Sequence, residues 1–156
     1  MTAGARDRAW LATHLPHRSR MNLLESVASW DADRIDCLAT GHREPGHPLR
    51  CAGELPAAAG IEYAAQAVAA HGALVAGEGS SLPGAGYLAS ARSVTFHVRR
   101  LDDIDGPLAI HAERIGGDAG GVLYAFRVEG KGRPLVEGRV AVVLDAGRLP
   151  VPGAAP

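Results

Sequence analysis

The feature that most constrains the fold is one long apolar segment that is unsuited to a protein surface. Residues 57 to 75 are rich in alanine and contain apolar or small residues at the i, i+3, i+4, i+7 spacing of a buried helical stripe, namely Ile61, Ala64, Ala65, Val68, Gly72 and Val75. Small side chains predominate in this segment, so the pattern predicts a helix with close neighbours on every side. The rest of the chain must then form a layer that wraps around it.

Strand patterns flank this helix. Before it, residues 21–27 and 34–40 are typical of two short strands, with a turn at 29–33. After it, apolar and polar residues alternate in four segments separated by turn sequences: 93–101, 107–115, 121–130 and 134–144. These four segments are predicted to form an antiparallel meander. The predicted architecture is α+β, an antiparallel sheet wrapped around one long central helix.

Length and charge limit the possible functions. A chain of 156 residues builds one core, so we expect a single domain over residues 1–148 and a mobile tail over residues 149–156. The 16 basic and 17 acidic residues nearly cancel, which argues against a nucleic-acid partner. Cys37 and Cys51 stand apart, without metal-ligand spacing. No secretory signal is visible, and a reducing cytoplasm is the expected location.

Polar residues within the helix argue against a membrane span, and Glu62 is the most unusual of them. Burial of a carboxylate without a partner costs several kcal/mol or forces the group to keep a proton. Such a residue at the centre of a core element indicates a functional role. The alternative is a structural role, in which Glu62 caps a loop or pairs with an arginine of a second chain. A second chain is expected because a single sheet leaves edges open, and we predict a homodimer.

Two short motifs give the chain a specific resemblance. The sequence LPHR at 15–18 and the run LPAAAGIEYAAQAVAAHGAL at 55–74 resemble the hotdog-fold 3-hydroxyacyl-[acyl-carrier-protein] dehydratases, and the helix is similar to the ApeP-like branch found in aryl polyene clusters. The family pattern has a Leu-Pro turn, an acid six positions after the proline and an Ala-Gln pair. Leu55, Pro56, Glu62, Ala65 and Gln66 match it.

The resemblance implies an activity and its catalytic pair. It implies reversible loss of water from a 3-hydroxyacyl thioester carried on acyl carrier protein, as in fatty acid or aryl polyene synthesis, without a cofactor or a metal. Glu62 would protonate the departing hydroxyl, and burial would keep it protonated. His47 would be the base at C2, although it lies one residue further from the acid than in the family and Pro48 takes the family position. His42 is the second choice.

Further residues are expected to bind the substrate. Gln66 lies one helical turn after Glu62 and would orient Glu62 or hydrogen-bond the substrate. The thioester oxygen needs a donor, for which backbone N–H groups near Gly53 or at the helix start are predicted. His71 is excluded as the partner of Glu62, because nine residues at about 100° each place it on the opposite side of the helix.

Two other functions are also compatible with the sequence. In a hotdog thioesterase, the helix carboxylate would activate water or attack the thioester carbonyl. In a non-catalytic subunit, the altered loop would have lost the base and the chain would bind acyl carrier protein or a partner enzyme. Arg92, Arg99 and Arg100 are candidates for a basic rim that receives the acidic carrier, with ordinary solvated surface positions as the alternative.

Overall fold

A computed structural model describes residues 4–15, 21–77, 87–118 and 120–143. It contains two helices, α1 (Arg8–His14) and α2 (Ala59–Ala76). It contains six strands: β1 (Ser26–Trp30), β2 (Arg34–Ala39), β3 (Tyr87–Phe96), β4 (Leu108–Asp118), β5 (Gly121–Gly130) and β6 (Arg133–Val143). The predicted tail at 149–156, residues 78–86 between α2 and β3, and three residues of the LPHR motif lie outside the described residues.

The six strands form one antiparallel sheet in the order β1-β2-β4-β5-β6-β3. The expectation of a four-stranded meander is therefore wrong. Strands β4, β5 and β6 follow one another through short turns, but β3 pairs with β6 at the far edge. The chain must cross from β3 to β4 through residues 97–107, and side-chain hydrogen bonds in this segment hold it against the loop that precedes α2.

Some predicted boundaries were displaced. Strand β1 begins later than predicted and extends through Trp30, which the sequence placed in a turn. Strand β3 begins and ends earlier than the predicted 93–101 segment. The short helix α1 was not predicted, and the side chain of Asp7 caps it by accepting a hydrogen bond from Trp10 N–H at 2.9 Å.

Helix α2 lies against strands β2 to β6. Its buried face is rotated from the predicted stripe: Tyr63, Ala67 and His71 are buried, whereas Val75 is 47% exposed. Burial of the polar residues Tyr63, Gln66 and His71 on this face is tolerated because each makes a hydrogen bond to another part of the chain. No helix in the described part of the chain is both long and apolar enough to span a bilayer.

The two edges of the sheet differ. Strand β1 is partly covered, because Arg6 and Val27 exchange two backbone hydrogen bonds of 2.9 Å. Within the described residues, no segment pairs with the outer edge of β3. Phe96, at the end of β3, is 48% exposed. The β3 edge is therefore the one that offers free backbone groups to another chain.

Candidate active site

One arginine holds the loop that precedes α2 in shape. Arg50 donates to the carbonyl oxygens of Glu44, Gly53 and Arg43 at 3.0, 2.8 and 3.1 Å. Three carbonyls on one guanidinium fix the loop more firmly than its Gly- and Pro-rich sequence would do alone. His47 lies inside this loop and is buried.

Both ring nitrogens of His47 are engaged. Leu49 N–H donates to Nδ1 at 3.1 Å, so that Nδ1 carries the lone pair. Nε2 therefore carries the hydrogen and donates it to the hydroxyl oxygen of Tyr63 at 3.0 Å. Burial, reinforced by the positive charge of Arg50, lowers the pKa of His47. His47 is thus a neutral hydrogen-bond donor toward Tyr63, and the base role predicted for it requires the Leu49 contact to open.

A cavity of about 300 Å³ lies beside this pair, which is at the lower end of the size of small-molecule sites, about 300–1,000 Å³. Tyr63, which is fully buried, and His47 line it together with Asn22 and the charged side chains of Arg8, Glu25 and Glu44. Within the described residues, Oδ1 of Asn22 has no hydrogen-bond partner. The cavity therefore contains polar groups with unused hydrogen-bonding capacity.

Tyr63 and Asn22 were not predicted as site residues. The sequence nevertheless carried a signal for Tyr63, which follows Glu62 directly in an otherwise Ala-rich helix. A tyrosine in a core helix needs a partner for its hydroxyl group. No comparable signal marked Asn22, because only the folded chain shows that it is 4% exposed.

Glu62 lies in the first turn of α2 and is half-buried. The Nε2 amide of Gln66 donates to its Oε1 at 3.2 Å, as expected if Gln66 orients Glu62. The other hydrogen bonds of Gln66 join α2 to the segment before β1: Leu23 N–H donates to its Oε1 and its Nε2 donates to the Met21 carbonyl, at 2.8 and 2.6 Å. Glu62 is not among the described residues that line the cavity.

The backbone N–H groups that were predicted to bind the thioester oxygen, near Gly53 and at the helix start, are not arranged for that role. At the helix start, the N–H groups of Ala57, Ala59, Gly60 and Ile61 all donate to carbonyl oxygens within the chain, at 2.9 to 3.1 Å. They are therefore not free to bind a thioester oxygen. Gly53 lies in an exposed turn with φ +80° and is not among the described residues that line the cavity.

The remaining histidine candidates occupy other surroundings. His42 is buried, and one of its ring nitrogens lies 2.8 Å from the Ile104 carbonyl. Its Nδ1 has no partner among the described residues. His71 lies 2.6 Å from the Tyr124 hydroxyl and 2.8 Å from the Asp31 carbonyl, which ties α2 to β5 and to the β1–β2 turn. Neither partner is Glu62, which agrees with the prediction that His71 does not pair with Glu62.

His71 makes stability sensitive to acid. Burial lowers its pKa in the folded protein, whereas the unfolded chain takes up a proton near the ordinary value of about 6.5. As the pH falls below about 6.5 the unfolded state binds more protons, so stability is lost in that direction. We expect His71→Gln to make the free energy of unfolding less pH-dependent between about 7.5 and 5.5. Urea unfolding at several pH values measures this, and an unchanged pH dependence would contradict it.

The predicted basic rim is largely neutralised. Arg99 and Arg100 each donate to Glu54 at 3.0 Å, and Arg100 also donates to Asp102 at 3.0 Å. The hydrogen bond from Arg100 holds the pKa of Asp102 well below its ordinary value. Two of the three predicted arginines therefore bind carboxylates of the same chain, which leaves Arg92 as the member that makes no ion pair with the described residues.

The fold and the site together define the class of protein. A six-stranded antiparallel sheet against one long helix is the hotdog fold, which confirms the predicted architecture, and a histidine-bearing loop lies just before that helix. Residues 10–147 match the model of the ApeP-like family, described as ApeP dehydratase. The chain belongs to the ApeP-like dehydratase family.

Solved structures support this assignment. The dehydratase heterocomplex ApeI:P from Xenorhabdus doucetiae matches with a TM-score of 0.77 and 25% identity over 86% of this chain and 90% of that chain. A thioesterase from Pseudomonas aeruginosa matches with a TM-score of 0.58 and 16% identity over 88% and 92% of the two chains. Zebra fish thioesterase superfamily member 2 gives 0.58 and 15% over 87% and 91%. At these lower identities the thioesterases share the fold alone. Among curated proteins, none matches this sequence.

Proposed function

We propose that the protein dehydrates 3-hydroxyacyl thioesters carried on acyl carrier protein to trans-2-enoyl thioesters. The observation that carries this proposal is the membership of the ApeP-like dehydratase family over residues 10–147. The geometry adds a buried histidine beside a cavity and an acidic residue in the first turn of the adjacent helix. These are the residue types that move protons in such a reaction.

The hydrogen bonds suggest how Glu62 and His47 divide the work. Dehydration needs an acceptor for the C2 proton, a donor for the departing C3 hydroxyl and a donor to the thioester oxygen. We assign the first two tasks to the carboxyl group of Glu62. As a carboxylate it takes the C2 proton, and it then returns that proton to the C3 hydroxyl, which leaves as water. His47 is assigned to the donor side because its Nε2 carries the hydrogen. Glu62 thus keeps the acid role predicted from the sequence and also takes the base role that was predicted for His47.

A second chain is proposed to complete the site. Glu62 and Tyr63 are consecutive in α2, so their side chains leave the helix about 100° apart, and Tyr63 lines the cavity whereas Glu62 is not among its described lining residues. The half-exposure of Glu62 leaves it accessible to a neighbour. The open edge of β3 is where a second hotdog chain would add its own strand. We propose that the neighbour is a second copy, as in the predicted homodimer.

The carrier is proposed to dock beside the same edge. Arg92 on β3 and Arg139 on β6 are paired residues of neighbouring strands, and both are exposed. Two like charges in directly opposite positions repel each other. An acidic partner would relieve this repulsion, and acyl carrier protein provides one. Arg92 therefore keeps the docking role predicted for the rim, with Arg139 in place of the two neutralised arginines.

One experiment tests the reaction and the assembly together. The purified chain is examined by light scattering and then incubated with a 3-hydroxyacyl thioester on acyl carrier protein. We expect the mass of a dimer and formation of the enoyl thioester, detected by mass spectrometry of the carrier. Release of free acid and thiol would instead establish a thioesterase. A dimer that is active only after a second, different hotdog chain is added would replace the homodimer by a heterocomplex, the state of the ApeI:P relative.

A further inference from the structure

We propose that Tyr63 is a catalytic residue, whose hydroxyl group donates a hydrogen bond to the thioester oxygen of the bound substrate. His47 acts through it as a positioning residue. The inference rests on the proposed dehydration and adds the donor that this reaction requires at the thioester carbonyl. Neither residue type nor spacing in the sequence identifies that donor.

The hydrogen bonding of Tyr63 leaves one donor unused. Its oxygen accepts the Nε2 hydrogen of His47 at 3.0 Å. Within the described residues, its own hydrogen has no acceptor, although the side chain is fully buried. A buried hydroxyl group normally finds a partner. Because Tyr63 forms part of the cavity wall, a ligand oxygen that reaches its hydroxyl group would supply the missing acceptor.

Several other candidate donors for the thioester oxygen are already engaged in bonds of their own. The helix-start amides of Ala57, Ala59, Gly60 and Ile61 are already bonded to carbonyls. Both donor hydrogens of the Gln66 amide are also engaged, with Met21 and Glu62. Tyr63 thus remains as a neutral donor in the cavity wall, and Asn22 in the same wall provides a carboxamide for a second polar group of the ligand.

The pairing with His47 suits Tyr63 for this task. During removal of the C2 proton, negative charge builds up on the thioester oxygen, and a hydrogen bond to it becomes stronger. Donation from His47 Nε2 into the tyrosine oxygen polarises the hydroxyl group and makes it a better donor. Burial raises the pKa of Tyr63, so the hydroxyl group keeps its hydrogen over the whole working range of pH.

The decisive variant is Tyr63→Phe, which removes the hydroxyl group and keeps the ring. We expect kcat for dehydration to fall about 100- to 1,000-fold, the usual cost of one such donor, with little change in KM. The matched control is Tyr124→Phe, which removes the hydroxyl group bonded to His71 outside the cavity. Both variants lose a buried hydrogen bond, so both should lose similar stability, but Tyr124→Phe should keep its kcat. Equal activity of wild type and Tyr63→Phe would overturn the proposal.

Two substitutions of His47 test its positioning role. The carboxamide of His47→Gln places an N–H group near the position of Nε2, so it keeps the donor to Tyr63, whereas His47→Leu removes it. We expect His47→Gln to retain more activity than His47→Leu, and we expect that difference to disappear when both are combined with Tyr63→Phe. If His47 removed the C2 proton itself, both substitutions would abolish activity alike.

A measurement that needs no turnover separates this inference from the proposed reaction. A saturated acyl pantetheine thioester labelled with ¹³C at the carbonyl lacks the leaving hydroxyl group. On binding to wild type its carbonyl stretch should move to lower wavenumber, and this shift should be absent in Tyr63→Phe. If wild type shows the shift but forms no enoyl product, the dehydration proposal fails and the Tyr63 contact stands. If product forms and Tyr63→Phe keeps the shift, the contact is disproved and the reaction stands.

Discussion

Replacement of Glu62 by glutamine is expected to lower kcat for dehydration by about 10²- to 10⁴-fold, the usual contribution of a proton-transferring group. Glutamine has nearly the same shape and still accepts the hydrogen bond that Gln66 donates. It can neither take up the C2 proton nor return it to the departing hydroxyl. Single-turnover measurement of enoyl product on the carrier separates this chemical step from binding and release.

The control for Glu62→Gln is a variant that loses a different carboxylate. Glu44→Gln also replaces a carboxylate, in this case one that lines the cavity, but it removes no group to which we assign a proton transfer. We expect it to keep most of the activity. If Glu62→Gln were as active as wild type, or Glu44→Gln were the inactive variant, the assignment of the acid–base role to Glu62 would be wrong.

The largest expected effect on stability comes from Gly60→Val. A Cβ atom at Gly60 would lie 2.9 Å from Cγ2 of Val136 on β6, closer than carbon atoms approach in a packed core. Because Gly60 is buried on the face of α2 that contacts the sheet, the helix must shift to admit the valine. Overpacking of this kind costs about 1–3 kcal/mol, occasionally more, and we expect the upper part of that range. Urea unfolding followed by circular dichroism measures it.

Gly72 in the same helix provides the matched control. Within the described part of the chain, no atom beyond the neighbouring helix backbone lies within 4 Å of the position of its Cβ, so Gly72→Val adds the same side chain without a clash. Valine has a somewhat better helix propensity than glycine, by a few tenths of a kcal/mol, and this variant should be neutral or slightly stabilised. Equal destabilisation of the two variants would show that the close approach of α2 to β6 is not the cause.

Local patterns predicted most of the elements, because helices and strands follow the periodicity of their own residues. The 18-residue helix α2 and the strand β5 illustrate this. The partner of β3 was not predicted, because strand pairing depends on contacts between distant residues. The ion pairs of Arg99 and Arg100 that hold the crossing segment have no periodic signature in the sequence.

The candidate site could also be predicted only in part, because many of its contacts join residues that are distant in the sequence. Glu62 was singled out by its unusual placement and His47 by the family resemblance, and the structure puts them on adjacent elements. The buried face of α2 was misplaced because hydrophobicity alone ranks Tyr63 and His71 as outward-facing residues. Each lies inside because a specific partner satisfies its polar atoms. Such pairing, and the donor state of His47 that it sets, follow only from the three-dimensional arrangement.

Glu62 and Tyr63 leave one rigid helix in different directions, and this geometry has a genetic consequence. If neighbouring chains exchange these two groups, each catalytic centre draws its carboxyl group from one polypeptide and its hydroxyl group from the other. Two damaged polypeptides, one lacking the carboxyl group and the other the hydroxyl group, would then rebuild a single intact centre when they associate. Genetic complementation between alleles of one gene would be the visible trace of that helix geometry.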